Sequence, residues 1–380
     1  MKILFVLENF YPHIGGVETV FENLAKGLTK EGHKVTVLTS WINGTQGIEK
    51  KDNYTIIRHR CPQFLRRYWF SFLAIPRTIS LSKDYDLIHT TTYNGALPAK
   101  IASLFNKKPS IITVHEVLGK NWKTLSGLSS LSAKLHQLFE KLIIALNFNV
   151  YACVSDSTKK SLLKSNIKEQ KVKVVYNGID YDFFNPKKYK NEKNKIRKKL
   201  NIKDSFIYTS YGRPGITKGI EYLVKAVPQI SKILPNSKLL LILSKSPEDR
   251  YNHIINLIKK LKIEKNIILL EPQKRENLPK YIISSDCVVV PSITEGFGYT
   301  AAEACALDIP VITSDTTSLP EVVSGQYILI PPKNPEAIAG AVIDMQKGKF
   351  SKKPKKYFTI KENIQNYLKI YKKLVDDDRS

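Results

Sequence analysis

The 380-residue chain is poor in several features, and each shortage removes a class of protein. It carries four cysteines, Cys61, Cys153, Cys287 and Cys305, and none are paired at metal-ligand spacing. That excludes a Cys-rich zinc module and a disulfide framework. Cys153, Cys287 and Cys305 stand in apolar contexts and read as small buried hydrophobes in a reducing compartment. No apolar run approaches the roughly 18 residues of a membrane span. Leu142 to Val154 comes nearest, and Asn147 and Asn149 interrupt it. The N-terminal run Ile3–Leu7 is too short for a signal peptide, so the expected location is cytoplasmic, soluble or peripheral at the inner membrane face. A P-loop, an HExxH pair, a nucleophile elbow and a solenoid repeat are all missing.

Acidic residues are also scarce: 34 Asp and Glu face 60 Lys and Arg, for a net charge of +26. Residues 1–176 and the remainder each carry half of that excess. With no discrete basic arm, a dedicated nucleic-acid protein is disfavoured, while an anionic small molecule or membrane surface remains compatible. A lysine-rich compositional bias is the plainer reading. Asp84/Asp86 and Asp180/Asp182 have a spacing that can hold a divalent cation, yet two acids around one residue arise easily by chance, and no metal is expected.

What is present is α/β alternation over a length that suits two domains of roughly 180 residues each. Ile3–Leu7 reads as a buried strand, a loop with His13, Gly15 and Gly16 follows, and a helix over Val17–Lys30 leads to a strand at Val35–Leu38. Further strands are expected at 54–58, 87–91, 110–114, 150–154 and 172–175. Ser110–Val114 ends at His115-Glu116, and a His at a strand's carboxyl end is placed where ligands bind. Phe64–Ile75 mixes Arg66 and Arg67 with Tyr68, Trp69, Phe70 and Phe72. It reads as a core-packing helix with solvated arginines, the alternative being an amphipathic helix lying on an anionic membrane.

The Asn177-Gly178 turn marks a domain boundary, followed by a Lys/Asn run over 187–199 read as a solvated entry to the second domain. The same grammar restarts with a strand at Phe206–Ser210 and a loop, Tyr211 to Gly219, bearing Arg213 and Lys218 before a helix over Ile220–Leu234. Two cations there can converge on one diphosphate, or the loop is simply solvated. Strands at 239–243, 267–270, 287–290 and 311–313 follow. The strand Cys287–Val290 delivers the loop Pro291–Gly298 to an Ala-rich helix over Tyr299–Ala306. Glu295 and Glu303 flank that loop, and two carboxylates beside a helix N-terminus suit a polyol joined to an anion. An amphipathic helix over Tyr357–Val375 is expected to pack back on the first domain.

In these elements the chain resembles the retaining glycosyltransferases of family 4. The resemblance rests on Glu295 to Glu303 as an E-x7-E element, Gly212-Arg213 to Lys218-Gly219 as G-R-x4-K-G, and the Asn177–Asp180 turn. The loop Gly15-Gly16-Val17-Glu18 and His115 add to it. It implies a GT-B fold, two Rossmann-like doubly wound domains facing a central cleft. Residues 1–176 with a C-terminal helix at about 357–380 would bind the acceptor, and residues 177–356 the donor. It implies that Arg213 and Lys218 bind the donor diphosphate, and that Glu303 accepts hydrogen bonds from its ribose. Glu295 would hold the sugar hydroxyls, with the Gly296-Phe297-Gly298 backbone lining sugar and phosphate. Gly16 would approach the phosphate and His115 the reacting sugar. The nucleotide sugar is a substrate, UDP- or GDP-linked, and no cofactor is implied. The chain departs from the family at Asp308, where Gly is common, and at Glu116, where Asp is common.

The expected activity is therefore transfer of a sugar, with retention, from a nucleotide-diphosphate sugar to a glycan or lipid-linked acceptor. Two other classes fit less of the chain. A GT-B sugar-nucleotide epimerase would isomerise the donor without transfer. A polyanion-binding protein would show steeply salt-dependent binding indifferent to sugar nucleotides.

Overall fold

The structure, a computed structural model, describes residues 1–13 and 15–379. The chain divides into two units. The first comprises Met1–Lys123, Leu128–Gly178 and the segment from Phe358 onward, and the second comprises Thr124–Gly127 and Ile179–Tyr357.

The first unit is built on eight strands: β1 (Lys2–Val6), β2 (Lys34–Ser40), β3 (Ile48–Lys51), β4 (Tyr54–His59), β5 (Leu87–Thr91), β6 (Ser110–Val114), β7 (Val150–Cys153) and β8 (Val172–Val174). Their order is β3-β4-β2-β1-β5-β6-β7-β8, and every pairing but β3–β4 is parallel. A parallel sheet is covered on both faces, so its strands are apolar throughout. Alternation then sorts side chains by face: Ile3 and Phe5 join one core cluster, Leu4 and Val6 another. Strand order reverses between β1 and β5, which places the loops after these strands at a topological switch point, where open α/β sheets bind ligands.

The C-terminal helix, Ile360–Arg379, packs on this first sheet as the sequence suggests. Ile364, Tyr367, Leu368, Tyr371 and Val375 lie in the same cluster as Phe5 and Phe21. Two hydroxyls reach inward as well. His89 Nδ1 is 2.6 Å from Tyr371 Oη, and Thr113 Oγ1 is 2.8 Å from both His89 Nε2 and Tyr367 Oη. The helix starts at Ile360 rather than Tyr357 because Thr359 and Glu362 form a capping box: Glu362 N–H donates to Thr359 Oγ1 at 3.0 Å and Thr359 N–H to the Glu362 carboxylate at 3.4 Å.

The second unit holds β9 (Phe206–Gly212), β10 (Ser237–Leu243), β11 (Ile267–Leu270), β12 (Cys287–Val290), β13 (Val311–Ser314), β14 (Gly325–Ile330) and β15 (Ser351–Lys353). Their order is β11-β10-β9-β12-β13-β14-β15, again parallel but for the last pair. The switch point falls between β9 and β12.

Three readings need correcting. Strands β3, β14 and β15 have no counterpart in the sequence reading; β3 (IEKK) and β15 (SKK) are polar antiparallel edges with no apolar alternation to signal them. The basic run over 187–199 is not a solvated entry. Its helix Glu192–Lys199 buries Ile196 and Arg197, and Arg197 pairs with Asp286 at 2.6 Å. The helix Arg66–Ser82 is core-packing on one side only: Phe70 and Ala74 are buried, but Trp69, Phe72 and Leu73 are exposed.

Candidate active site

In the second unit, the loops after β9 and β12 emerge at the switch point and are tied to each other. Gly219 has a left-handed φ of +63°, and a Cβ there would collide with the Pro291 carbonyl oxygen, so only glycine lets the two loops approach. Ile293 N–H donates to the Thr217 carbonyl at 2.7 Å. The side chains follow the backbone. Lys218 Nζ lies 2.6 Å from Glu295 Oε1, and Ser292 Oγ donates to the same oxygen at 2.9 Å. Glu295 is held at its main chain too. Its N–H donates to Thr317 Oγ1 at 2.9 Å, and its carbonyl accepts from Ser318 Oγ at 2.9 Å. Thr317 has φ +47°, unfavourable for a β-branched residue, so this hydroxyl is held at the expense of local backbone strain.

Gly298 caps the helix Tyr299–Ala306 with φ +96°, and a Cβ would lie 2.8 Å from Leu319 Cδ2. Phe297 is buried, its ring edge-on to Tyr299 at 5.3 Å, so its contribution to a ligand surface is backbone. Within the helix, Glu303 Oε2 accepts from Tyr211 Oη at 3.0 Å. Burial pushes the Glu303 carboxyl up to about 7, against the Tyr211 hydrogen bond and the Arg275 charge, which both lower it. Arg213 is exposed and makes no ion pair among the described residues. The second unit thus pairs Lys218 with Glu295 on the loops before the helix Tyr299–Ala306, sets Glu303 within that helix against Tyr211, and leaves Arg213 without an ion pair among the described residues.

His115 and Gly16 belong to the first unit. Gly16 opens the helix Gly16–Lys30, with Gly15 in an extended conformation as its cap. Glu18, in the first turn, is 3.0 Å from His13 Nδ1. His115 directly follows β6, its Nε2 buried and without a hydrogen-bond partner among the described residues. Burial lowers its imidazole to about 4, opposed by the Glu18 charge, so it is neutral near pH 7. The segment after it is fixed by Glu140, a residue sequence reasoning missed. The buried Glu140 carboxylate accepts from Leu118 N–H at 2.9 Å, Gly119 N–H at 2.6 Å and Tyr93 Oη at 2.8 Å. Its one sequence signal is a lone carboxylate among the apolar residues of LFEKLII. Tyr211, Ser292 and Thr317 were also missed as partners of the two glutamates, since hydroxyl residues in loops carry no spacing signature.

The acidic pairs have other work: Asp86 accepts from Lys2 N–H at 2.7 Å and Asp180 from Phe183 N–H at 2.9 Å. Among the described residues, no group of three His, Cys, Asp or Glu gathers as a metal site. All four cysteines are free and buried.

The family profile described as glycosyl transferases group 1 matches residues 192–366, and that described as glycosyltransferase family 4 matches residues 14–183. An uncharacterized glycosyltransferase of Methanocaldococcus jannaschii is 30% identical over 354 residues, covering 90% of this chain and 88% of the relative. The chain belongs to the group 1, family 4 glycosyltransferases. The phosphatidylinositol N-acetylglucosaminyltransferase GPI3 subunit of Saccharomyces cerevisiae is a more distant relative, 22% identical, with 86% of this chain and 70% of the yeast protein covered. Among solved structures, sucrose-phosphate synthase from Thermosynechococcus elongatus superposes with a TM-score of 0.80 at 22% identity, covering 99% of both chains. Anabaena HepE in complex with UDP-glucose superposes at 0.74 and 16% identity, with 98% of this chain and all of that chain covered. These neighbours establish the two-domain GT-B fold of this glycosyltransferase. Asp308, where the family commonly has Gly, sits at φ +58° in a Schellman ending of the Tyr299–Ala306 helix, with Ile309 N–H on the Ala304 carbonyl and Asp308 N–H on that of Cys305. The position demands a left-handed residue, and Asp is among the few others that accept one.

Proposed function

We propose that this glycosyltransferase moves a sugar from a nucleotide-diphosphate sugar to a glycan or lipid-linked acceptor, with retention at the anomeric carbon and without a metal ion. The observation that carries the donor assignment is the Lys218–Glu295 pair, 2.6 Å long, on two loops that meet at the switch point beside a helix N-terminus. Breaking the sugar–phosphate bond places negative charge on the departing diphosphate. Lys218, Arg213 and the N–H groups around Gly298 supply fixed positive potential for it. In the free enzyme Glu295 shares Lys218. Donor entry would draw the ammonium toward phosphate and release Glu295 oxygens to accept from sugar hydroxyls. Glu303 accepts from the ribose, and the Gly296–Gly298 backbone lines the sugar. By resemblance to the family, Gly16 is assigned to the phosphate and neutral His115 to the reacting sugar. The complexes of HepE with UDP and UDP-glucose support a uridine nucleotide as the first donor to screen.

The test is release of nucleoside diphosphate from a panel of UDP- and GDP-sugars with candidate acceptors, in the presence and absence of a chelator. Proton NMR of the product's anomeric centre reads retention. Turnover that needs added metal overturns the metal-free reading, and isomerised donor without transfer overturns the transferase reading.

A further inference from the structure

Two helices of the first unit expose more apolar surface than packing accounts for. On Arg66–Ser82, Trp69, Phe72 and Leu73 recur at i, i+3 and i+4 and are 43%, 58% and 42% exposed. On Ser130–Ile144, Leu131, Leu135, Leu138 and Leu142 recur at i, i+4, i+7 and i+11, each more than half exposed. That spacing puts the four leucines in a single stripe about 60° wide on a helix of 3.6 residues per turn. Ordinary surface helices keep such a stripe for the core, yet here the core side of Ser130–Ile144 is held by Ala133, Glu140, Ile143 and Ile144. The two helices are joined by Tyr68 Oη and His136 Nε2, 2.9 Å apart.

Charge decides what covers this surface. Neither helix has an exposed carboxylate: Arg66–Ser82 contains no acidic residue, and the single one in Ser130–Ile144, Glu140, is buried. Exposed cations flank both stripes, Arg77 on the first, Lys134 and Lys141 on the second. An apolar stripe edged by cations of one sign, with an indole at its margin, has the composition of a surface lying in a bilayer interface. A second copy of this chain would bring the same uncompensated cations against themselves. No helix among the described residues is long and apolar enough to cross a membrane.

We propose that the Trp69–Leu73 and Leu131–Leu142 faces together dock this protein onto an anionic lipid bilayer. The docking needs no donor and no acceptor, so it stands or falls apart from the sugar-transfer reading. It also places the lipid on the outer side of the helix whose inner side, through Glu140, fixes the segment following His115.

The experiment is flotation of the full chain with vesicles of phosphatidylcholine alone and of phosphatidylcholine with about 30% phosphatidylglycerol, at low and at roughly 0.5 M salt. Trp69→Glu/Leu135→Glu and Arg77→Gln/Lys134→Gln are compared with the parent, each checked by circular dichroism and by light scattering. The expected result is binding to the anionic vesicles alone, reduced at least about tenfold by the Glu pair and several-fold by the Gln pair or by salt. No binding by the folded parent, equal binding to neutral vesicles, or folded Glu variants that bind as the parent does would each overturn the proposal. So would a parent dimer that the Glu pair makes monomeric and that does not bind vesicles. Should the Glu pair fail to fold, Trp69→Ser/Leu138→Ser replaces it, with the same loss expected.

Discussion

The ligand edges of the two sheets are made of different material. In the second unit the loops after β9 and β12 are stitched by backbone contacts, a glycine at φ +63° and an ion pair, and their charge is concentrated in Lys218, Arg213, Glu295 and Glu303. In the first unit the segment after β6 carries a neutral His115, one nitrogen of which has no partner among the described residues, and leans on one buried carboxylate, Glu140. A charged, cross-braced edge is suited to one demanding ligand group, a diphosphate. A neutral imidazole on a segment braced from behind is suited to a reacting sugar and an acceptor. Under the proposed division of work, the motifs that carry the family resemblance fall mainly on the edge that would meet the anion, which needs a few charged groups at set positions.

The sharpest way to break this comparison is at the ion pair. Lys218→Ala and Glu295→Ala should each lower turnover by about 10² to 10³. Because the two side chains touch, the double substitution should lose much less than the product of the singles. Additive losses in nucleotide release would mean the pair does not act as a unit. On the other edge, Glu140→Ala leaves two half-buried N–H groups without their acceptor and the Tyr93 hydroxyl with only the Glu116 carbonyl at 3.3 Å. A loss of about 2 kcal/mol in urea unfolding is expected, with acceptor KM raised and donor KM unchanged. An equal rise in both would show that the two edges do not divide the work as proposed.

Glu303 offers a test by pH. Its folded carboxyl sits near 7, above its unfolded value, so the folded state holds its proton longer. The associated stability is present below about 4.5 and is lost as pH rises through 7. Glu303→Gln should flatten that part of the stability curve. Donor binding runs the other way, since the carboxylate is the better acceptor. Donor affinity should rise about tenfold from pH 6 to pH 8 in the parent and stay flat in the Gln variant, as read by calorimetry. The smallest effect is at Asp308. Asp308→Ala should lose about 1 kcal/mol to left-handed strain, while Asp308→Gly should stay within about 0.5 kcal/mol, losing only an exposed ion pair with Lys355.

Much of this molecule is legible in its sequence. The apolar runs fix most of the parallel strands, because a strand covered on both faces must be apolar throughout. The glycine positions and the Glu295–Glu303 spacing mark the loops where a ligand belongs. The sequence also holds the Thr359–Glu362 capping box, which sets the start of the last helix three residues after the apolar pattern begins at Tyr357. Other features have no local trace. The polar edges β3 and β15 exist only because β4 and β14 offer them unpaired backbone. That Lys218 meets Glu295, 77 positions away, was decided by the chain returning one strand over, and that Glu140 supports the segment after His115 by a helix packing back across 21 positions.

By itself, then, the sequence determined the family, the two sheets and the residues carrying charge, because these follow from local periodicity and from motifs whose spacing is short. Only tertiary structure decided which charges neutralise one another, which carboxyl is pushed toward 7 by burial, and which leucines remain outside. Burial and pairing are properties of the packed environment, and residues far apart in the chain supply that environment.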